Sequence, residues 1–212
     1  HRVDRRQRQM CIRDRIIVII AITSYHKLTK QDSINYCEIE PYLDYLIVRS
    51  PMCTSETIEW INQLKQRHFP KDKIIIHSDY HVLQSCDLSR IHFRENDEQI
   101  RALKQHSSNI KISMSTHSRQ SIQYAEDLNL DFVLYGHVFE TKSKKGLAPK
   151  SLIEINDVLK SDIPVVALGG INLKTMSHLP KGFQGIAGIS IFNHSIKTVQ
   201  ALHRAWLNYE AT

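Results

Sequence analysis

The sequence predicts a single-domain α/β protein folded as a (β/α)8 TIM barrel. Three observations predict it. Short β-branched runs alternate with longer amphipathic ones along the whole chain. There are eight such runs. Several are near-continuous apolar stretches, as parallel strands buried on both faces require. The chain of 212 residues is close to the lower limit for such a barrel and is too short for two barrels.

The strand candidates are IIVIIAIT (16–23), YLIVR (45–49), KIIIH (73–77), RIHF (90–93), IKISM (110–114), DFVLYG (131–136), IPVVALGG (163–170) and GIAGIS (185–190). Pro164 opens the seventh, where its missing N–H costs least. Between them lie helix-length segments. Residues 54–67 put Ile58, Ile61 and Leu64 on one stripe, with Thr54 or Ser55 as N-cap and Glu56 early in the helix. Residues 118–128 place Ile122, Ala125 and Leu128 together behind a Ser cap, residues 151–159 are similar, and residues 195–207 align Val199, Leu202 and Trp206. Trp60 and Trp206 read as core residues on helix faces. An open doubly wound sheet is the competing architecture, and the absence of G-x-G-x-x-G after the first strand weakens its dinucleotide-binding form.

The formal charge of +6 suggests nucleic acid until it is located. Residues 1–15 hold six Arg and two Asp, so +4 of it sits there and the rest of the chain carries +2. This segment lacks the apolar core of a secretory signal. Its RQMCIRD stretch resembles the translation of a sequencing adapter, so residues 1–15 are expected to be non-native or disordered and residues 16–212 to be the barrel; a natural basic arm is the alternative. The residue directly before Ile16 is Arg15 and not Met, so the native start is left open. Without the arm the electrostatic case for nucleic acid nearly vanishes. No apolar run nears the roughly 18 residues a membrane helix needs. The four cysteines form no C-x-x-C pair, which argues against a disulfide framework or zinc ribbon and for a reducing cytoplasm.

In such barrels chemistry gathers at the C-terminal ends of the strands. Those ends carry Thr23, Arg49, His77, Ser115, His117, His137, Gly169, Gly170 and Ser190. Imidazole and guanidinium groups among them suit an anionic ligand and proton transfer. Gly169 and Gly170 after strand seven, with Gly188, Ile189 and Ser190 after strand eight, are expected to bind a phosphate through bare backbone N–H groups. Glycines that only make tight turns are the plainer alternative. His77, His92, His117 and His137 are too far apart in sequence for a local metal chelate, and separate polar contacts are expected of them.

The run Tyr135–Gly146, YGHVFETKSKKG, resembles the thiazole tautomerase branch of the thiamin phosphate synthase/TenI family, most specifically in His-Val-Phe-Glu-Thr. Ala21-Ile22-Thr23, Arg49, Ser115-x-His117 and Gly169-Gly170-Ile171 support it, and the likeness covers about residues 16–207. The synthases of this family join a pyrimidine diphosphate to a thiazole phosphate with Mg²⁺. Their strand-two pattern Gln-x-Arg-x-Lys stands here as Ile47, Arg49 and Pro51, and their Asn-Asp-Asp after strand three as His77-Ser78-Asp79. Asp97 matches the second metal ligand. One carboxylate is a poor harness for Mg²⁺ and pyrophosphate.

The resemblance therefore implies the tautomerase reaction, which aromatises the carboxythiazole phosphate made by thiazole synthase. It implies no metal and no cofactor. His137 would be the proton shuttle, with the glycine loops on the phosphate. Arg49 or a nearby lysine would face the carboxylate, and Ser115, His117, Thr141 and Lys144 would contribute to substrate binding. Thr141, Lys142, Ser143 and Lys144 match a loop that closes over ligand in the synthases. His117 is expected to orient Ser115 or the loop after strand six. The partner is then a small phosphorylated thiazole, with neither nucleic acid nor membrane involved; family members are often homodimers. A residual synthase and a non-catalytic, regulatory phosphate-binding barrel are the alternatives.

Overall fold

The computed structural model describes residues 18–141, 144 and 146–211. The expectation for residues 1–15 lies outside them.

Eight parallel strands close into a barrel in chain order: β1 (Val18–Ile22), β2 (Tyr45–Val48), β3 (Ile74–His77), β4 (Arg90–Phe93), β5 (Lys111–Thr116), β6 (Phe132–Gly136), β7 (Val165–Leu168) and β8 (Gly185–Gly188). Every expected strand is present, with ends shifted by a residue or a few. The helices are α1 (Lys30–Ile39), α2 (Thr54–Gln66), α3 (Tyr80–Ser85), α4 (Gln99–His106), α5 (Arg119–Asp127), α6 (Leu152–Val158) and α7 (Ile196–Ala211). The expected alternation therefore breaks once. Between β7 and β8 the crossover is a single 3-10 turn, Met176–His178, which buries Met176 where a helix face would otherwise lie.

Strand alternation sorts the apolar side chains into two cores. Ile19, Leu46, Ile74, Ile91, Ile112, Val133, Val165 and Ile186 face outward and pack under the helices with Trp60, Leu64, Ile122, Leu202 and Trp206. Val18, Ile20, Ile22, Ile47, Ile75, Leu134, Val166 and Ala187 fill the barrel. At its N-terminal end the Tyr45 and Phe132 rings stack 6.3 Å apart, and the Arg90 guanidinium lies 4.7 Å from the Tyr45 centroid, so that end is plugged.

Local signals start the helices. Ser118 and Ser151 cap α5 and α6 as their sequence suggests, each accepting a backbone N–H from the first turn. The cap of α2 differs from expectation. Cys53 occupies that position, and the Glu56 carboxylate reaches back to its N–H at 3.2 Å. Thr54 is instead drawn to Asp79, 2.9 Å away, which ties the start of α2 to the start of α3.

Candidate active site

The C-terminal mouth of the barrel has two unlike halves. Around β2 to β5 it is polar; around β6 to β1 it is built of glycines, Leu168, Ile189 and Ile22.

On the polar half, Thr23 proves to be a clip. Fully buried, its hydroxyl donates to the Arg49 carbonyl at 2.5 Å and accepts the Arg49 N–H at 2.8 Å, locking β1 to β2. It is satisfied by backbone and is not offered to a ligand. The Arg49 guanidinium rests 4.8 Å from the ring centroid of the exposed Tyr25. His77, at the end of β3, is pushed down to about 4 by burial first and then by Arg49 and Arg94, so its imidazole is neutral near pH 7. His92, on β4, lies 5.9 Å from it ring to ring. Its nitrogens reach Ser113 Oγ at 2.8 Å and Ser115 Oγ at 2.9 Å.

His117 does not orient Ser115 as expected. Its Nδ1 is 2.7 Å from Glu95 Oε2 and its backbone N–H also reaches Glu95, so the ring is turned to the exposed rim. The carboxylate attracts it, and the fully buried His92 already holds Ser115. Among the described residues no three His, Cys, Asp or Glu side chains converge as a metal-ligand set.

The glycine half carries His137, directly after β6 and only 7% exposed. Its Nε2 lies 3.3 Å from the Leu147 carbonyl, and its backbone carbonyl accepts the Lys150 N–H at 3.1 Å, so Leu147 and Lys150 return to His137. Its Nδ1 is buried with no hydrogen-bond partner. A carbonyl only accepts, so in the neutral ring Nε2 carries the proton and Nδ1 presents a bare lone pair. That is the state a proton acceptor needs.

Gly169 and Gly170 have φ of +96° and +70°. A Cβ on Gly169 would lie 2.5 Å from His137 Cβ, and one on Gly170 would lie 2.5 Å from the Glu140 carbonyl oxygen. Val138 N–H donates to Leu168 O at 2.9 Å and Phe139 N–H to Gly169 O at 3.0 Å. These glycines thus let the loop carrying His137 lie flat on the end of β7. Gly188 ends β8, Ile189 follows it, and the exposed Ser190 opens the 3-10 turn Ser190–Asn193. Thr141 and Lys144 sit in the loop after β6, joined by the Lys144 N–H to Thr141 carbonyl bond at 3.1 Å. Lys142 and Ser143 lie outside the described residues.

The positions corresponding to a synthase metal site do not suit Mg²⁺. Ser78, at φ +58°, offers a buried hydroxyl without a partner. Asp97 is engaged by the Gln99 N–H at 3.1 Å, and Asp79 caps α3. One hydroxyl and one carboxylate lack the charge such an ion selects.

Sequence reasoning missed Arg94 and the link from His92 to Ser115. The signal was present as alternation: Arg90 and His92 on β4, with Arg94 just past its end, and Ser113 and Ser115 on β5 share the period of two that puts side chains on one face.

Among curated relatives, the thiamine-phosphate synthase of Lysinibacillus sphaericus is 29% identical over 120 residues, covering 55% of this chain and 56% of that one. That of Methanosarcina barkeri is 27% identical over 143 residues, covering 65% and 64%. The matched stretch therefore spans less than two thirds of either relative. Among solved structures, thiamine phosphate pyrophosphorylase from Pyrococcus furiosus superposes with a TM-score of 0.76 at 24% identity, covering 91% of this chain and 96% of that one, which bears on the fold. The thiamine monophosphate synthase family model matches residues 40–192. By that match, on a barrel with these strand ends, the chain belongs to the thiamine monophosphate synthase/TenI family.

Proposed function

We propose that this chain is a thiazole tautomerase, aromatising a carboxythiazole phosphate by proton transfer through His137. The observation that carries this is the buried imidazole whose Nε2 is committed to the Leu147 carbonyl and whose Nδ1 is left bare and unpartnered. In the reaction a proton leaves the ring carbon that bears the carboxylate, and one is delivered to the exocyclic carbon. Atoms and charge are conserved, and aromaticity supplies the driving force. The protein need only hold the substrate and carry the proton. Nδ1 takes it and returns it; general acid–base help of this kind contributes about 10²–10⁴-fold. The glycine loops after β7 and β8 would hold the phosphate, and Arg49 the carboxylate, with Arg94 beside it. The enzyme would work in the cytoplasm on a small phosphorylated substrate, as a homodimer in keeping with its family.

The names of the curated relatives favour a second reading, thiamine-phosphate synthase. Against it stand Ile47, Pro51 and Ser78 at positions where that reaction wants polar or charged groups.

One set of assays separates them. With the non-aromatic carboxythiazole tautomer, ultraviolet absorption of the aromatic product is expected to grow without added metal, and His137→Asn to slow it by about 10²-fold or more. A His137→Asn protein as fast as the original removes the assignment. Product formation from pyrimidine diphosphate and thiazole phosphate with Mg²⁺ would install the synthase instead.

A further inference from the structure

The barrel interior holds a buried imidazole that the proton transfer does not use. His92 is 2% exposed, with Ser113 Oγ 2.8 Å from Nδ1 and Ser115 Oγ 2.9 Å from Nε2. Burial, and then the neighbouring His77, push its pKa down to about 3. A neutral ring has one N–H and one lone pair, so the two serines cannot play the same part.

The deeper serine decides which part each plays. Ser113 is itself 2% exposed. Were Nδ1 protonated, Ser113 would accept from it. Its own hydrogen would then have only the Ile91 carbonyl at 3.5 Å, beyond the normal O–H···O range. A buried hydroxyl so poorly served costs roughly five- to hundredfold in population. With Nε2 protonated, Ser113 donates to Nδ1 at 2.8 Å and every buried group is satisfied. Ser115 then accepts from Nε2–H, and its own hydrogen is freed toward the mouth. Ser115 is half-buried there, two residues up β5 from Ser113, on the strand next to the one that leads to Arg94.

We propose that Ser113 fixes His92 as the Nε2–H tautomer, and that His92, as a positioning residue, thereby makes Ser115 a hydrogen-bond donor to the carboxylate of the bound thiazole. The identity of the anion rests on the tautomerase reading; the tautomer and the polarity of Ser115 do not.

The test begins with the unaltered protein labelled with ¹⁵N at histidine, His92 being assigned by the signals lost in His92→Gln. At neutral pH its Nε2 is expected in the pyrrole-like range and Nδ1 in the pyridine-like range; the reverse overturns the proposal, whatever the variants do. Ser113→Ala should erode that preference, and Ser113→Thr should restore it. Binding is then compared for carboxythiazole phosphate and for the same thiazole phosphate without its carboxylate. Ser115→Ala should weaken the first roughly tenfold or more and the second less than about twofold. Equal weakening of both overturns the carboxylate assignment. Discrimination that persists in a protein with no turnover supports this proposal while sinking the tautomerase.

Discussion

The Cα and Cβ of His137 lie against the bare Cα of Gly169, where an added Cβ would sit 2.5 Å from His137 Cβ and 2.7 Å from its Cα. Both atoms belong to backbone or near-backbone positions that cannot swing aside. Gly169→Ala must therefore displace the loop that carries the ring, besides forcing alanine to φ +96°. The expected result is a loss of about 1–3 kcal/mol in unfolding free energy and at least a tenfold loss of turnover. Gly146→Ala is the contrast. It too has a positive φ, +80°, but among the described residues nothing lies within 4 Å of the added carbon. It should cost stability by strain alone and leave turnover nearly intact. Thermal unfolding and the ultraviolet assay read both.

How much of this was legible beforehand depends on range. The strands were, because buried parallel strands are written as short β-branched runs such as Ile74-Ile75-Ile76. So was the place of His137 directly after β6. The single 3-10 turn between β7 and β8 was not, since a missing helix leaves no periodic mark. Nor was the cap of α2, because Thr54 is a better capping residue than Cys53 until Asp79 competes for it from another helix. The bond from His92 to Ser113 depends on their pairing across β4 and β5, a register that no local pattern encodes.

Acid should destabilise the fold through the buried His92 and the half-buried His77. His77 and His92 are held down at about 4 and about 3, against about 6.5 in the unfolded chain. Below pH 6.5 the unfolded state therefore binds more protons than the folded one. The stability that neutral rings contribute is whole above that pH and is lost progressively as pH falls through 6.5 toward 3. Urea midpoints between pH 7 and 4 should fall, and His77→Gln should flatten the slope. An unchanged slope in His77→Gln would contradict its burial as a neutral ring.

The plugged end of the barrel predicts a change in stability without a change in activity. Arg90 lies on Tyr45, which stacks on Phe132, and Arg90 Nε also donates to the Asp72 carbonyl at 3.0 Å. Arg90→Ala should lower stability by about 0.5–1 kcal/mol for the lost cation–π contact and somewhat more for the hydrogen bond. Turnover should stay within about twofold, because the plug is at the opposite end from the strand ends that carry chemistry. A large fall in turnover with little change in unfolding would show that the two ends are coupled.

His77 can serve as a meter for charge at the polar half of the mouth. Burial sets its low pKa first; Arg49 and then Arg94 lower it further, while Asp97 opposes them. Removing a neighbouring cation stabilises the imidazolium, so Arg49→Ala and Arg94→Ala should each raise the His77 pKa from about 4, Arg49→Ala the more. A bound carboxylate between these residues should raise it in the same direction, and less in either variant, because the anion is then held less tightly. Proton NMR titration of the His77 ring, with and without a carboxylated thiazole phosphate, measures all of these shifts. If the ligand leaves His77 unmoved while binding normally, its carboxylate lies elsewhere in the mouth, and Arg49 and Arg94 are not what holds it.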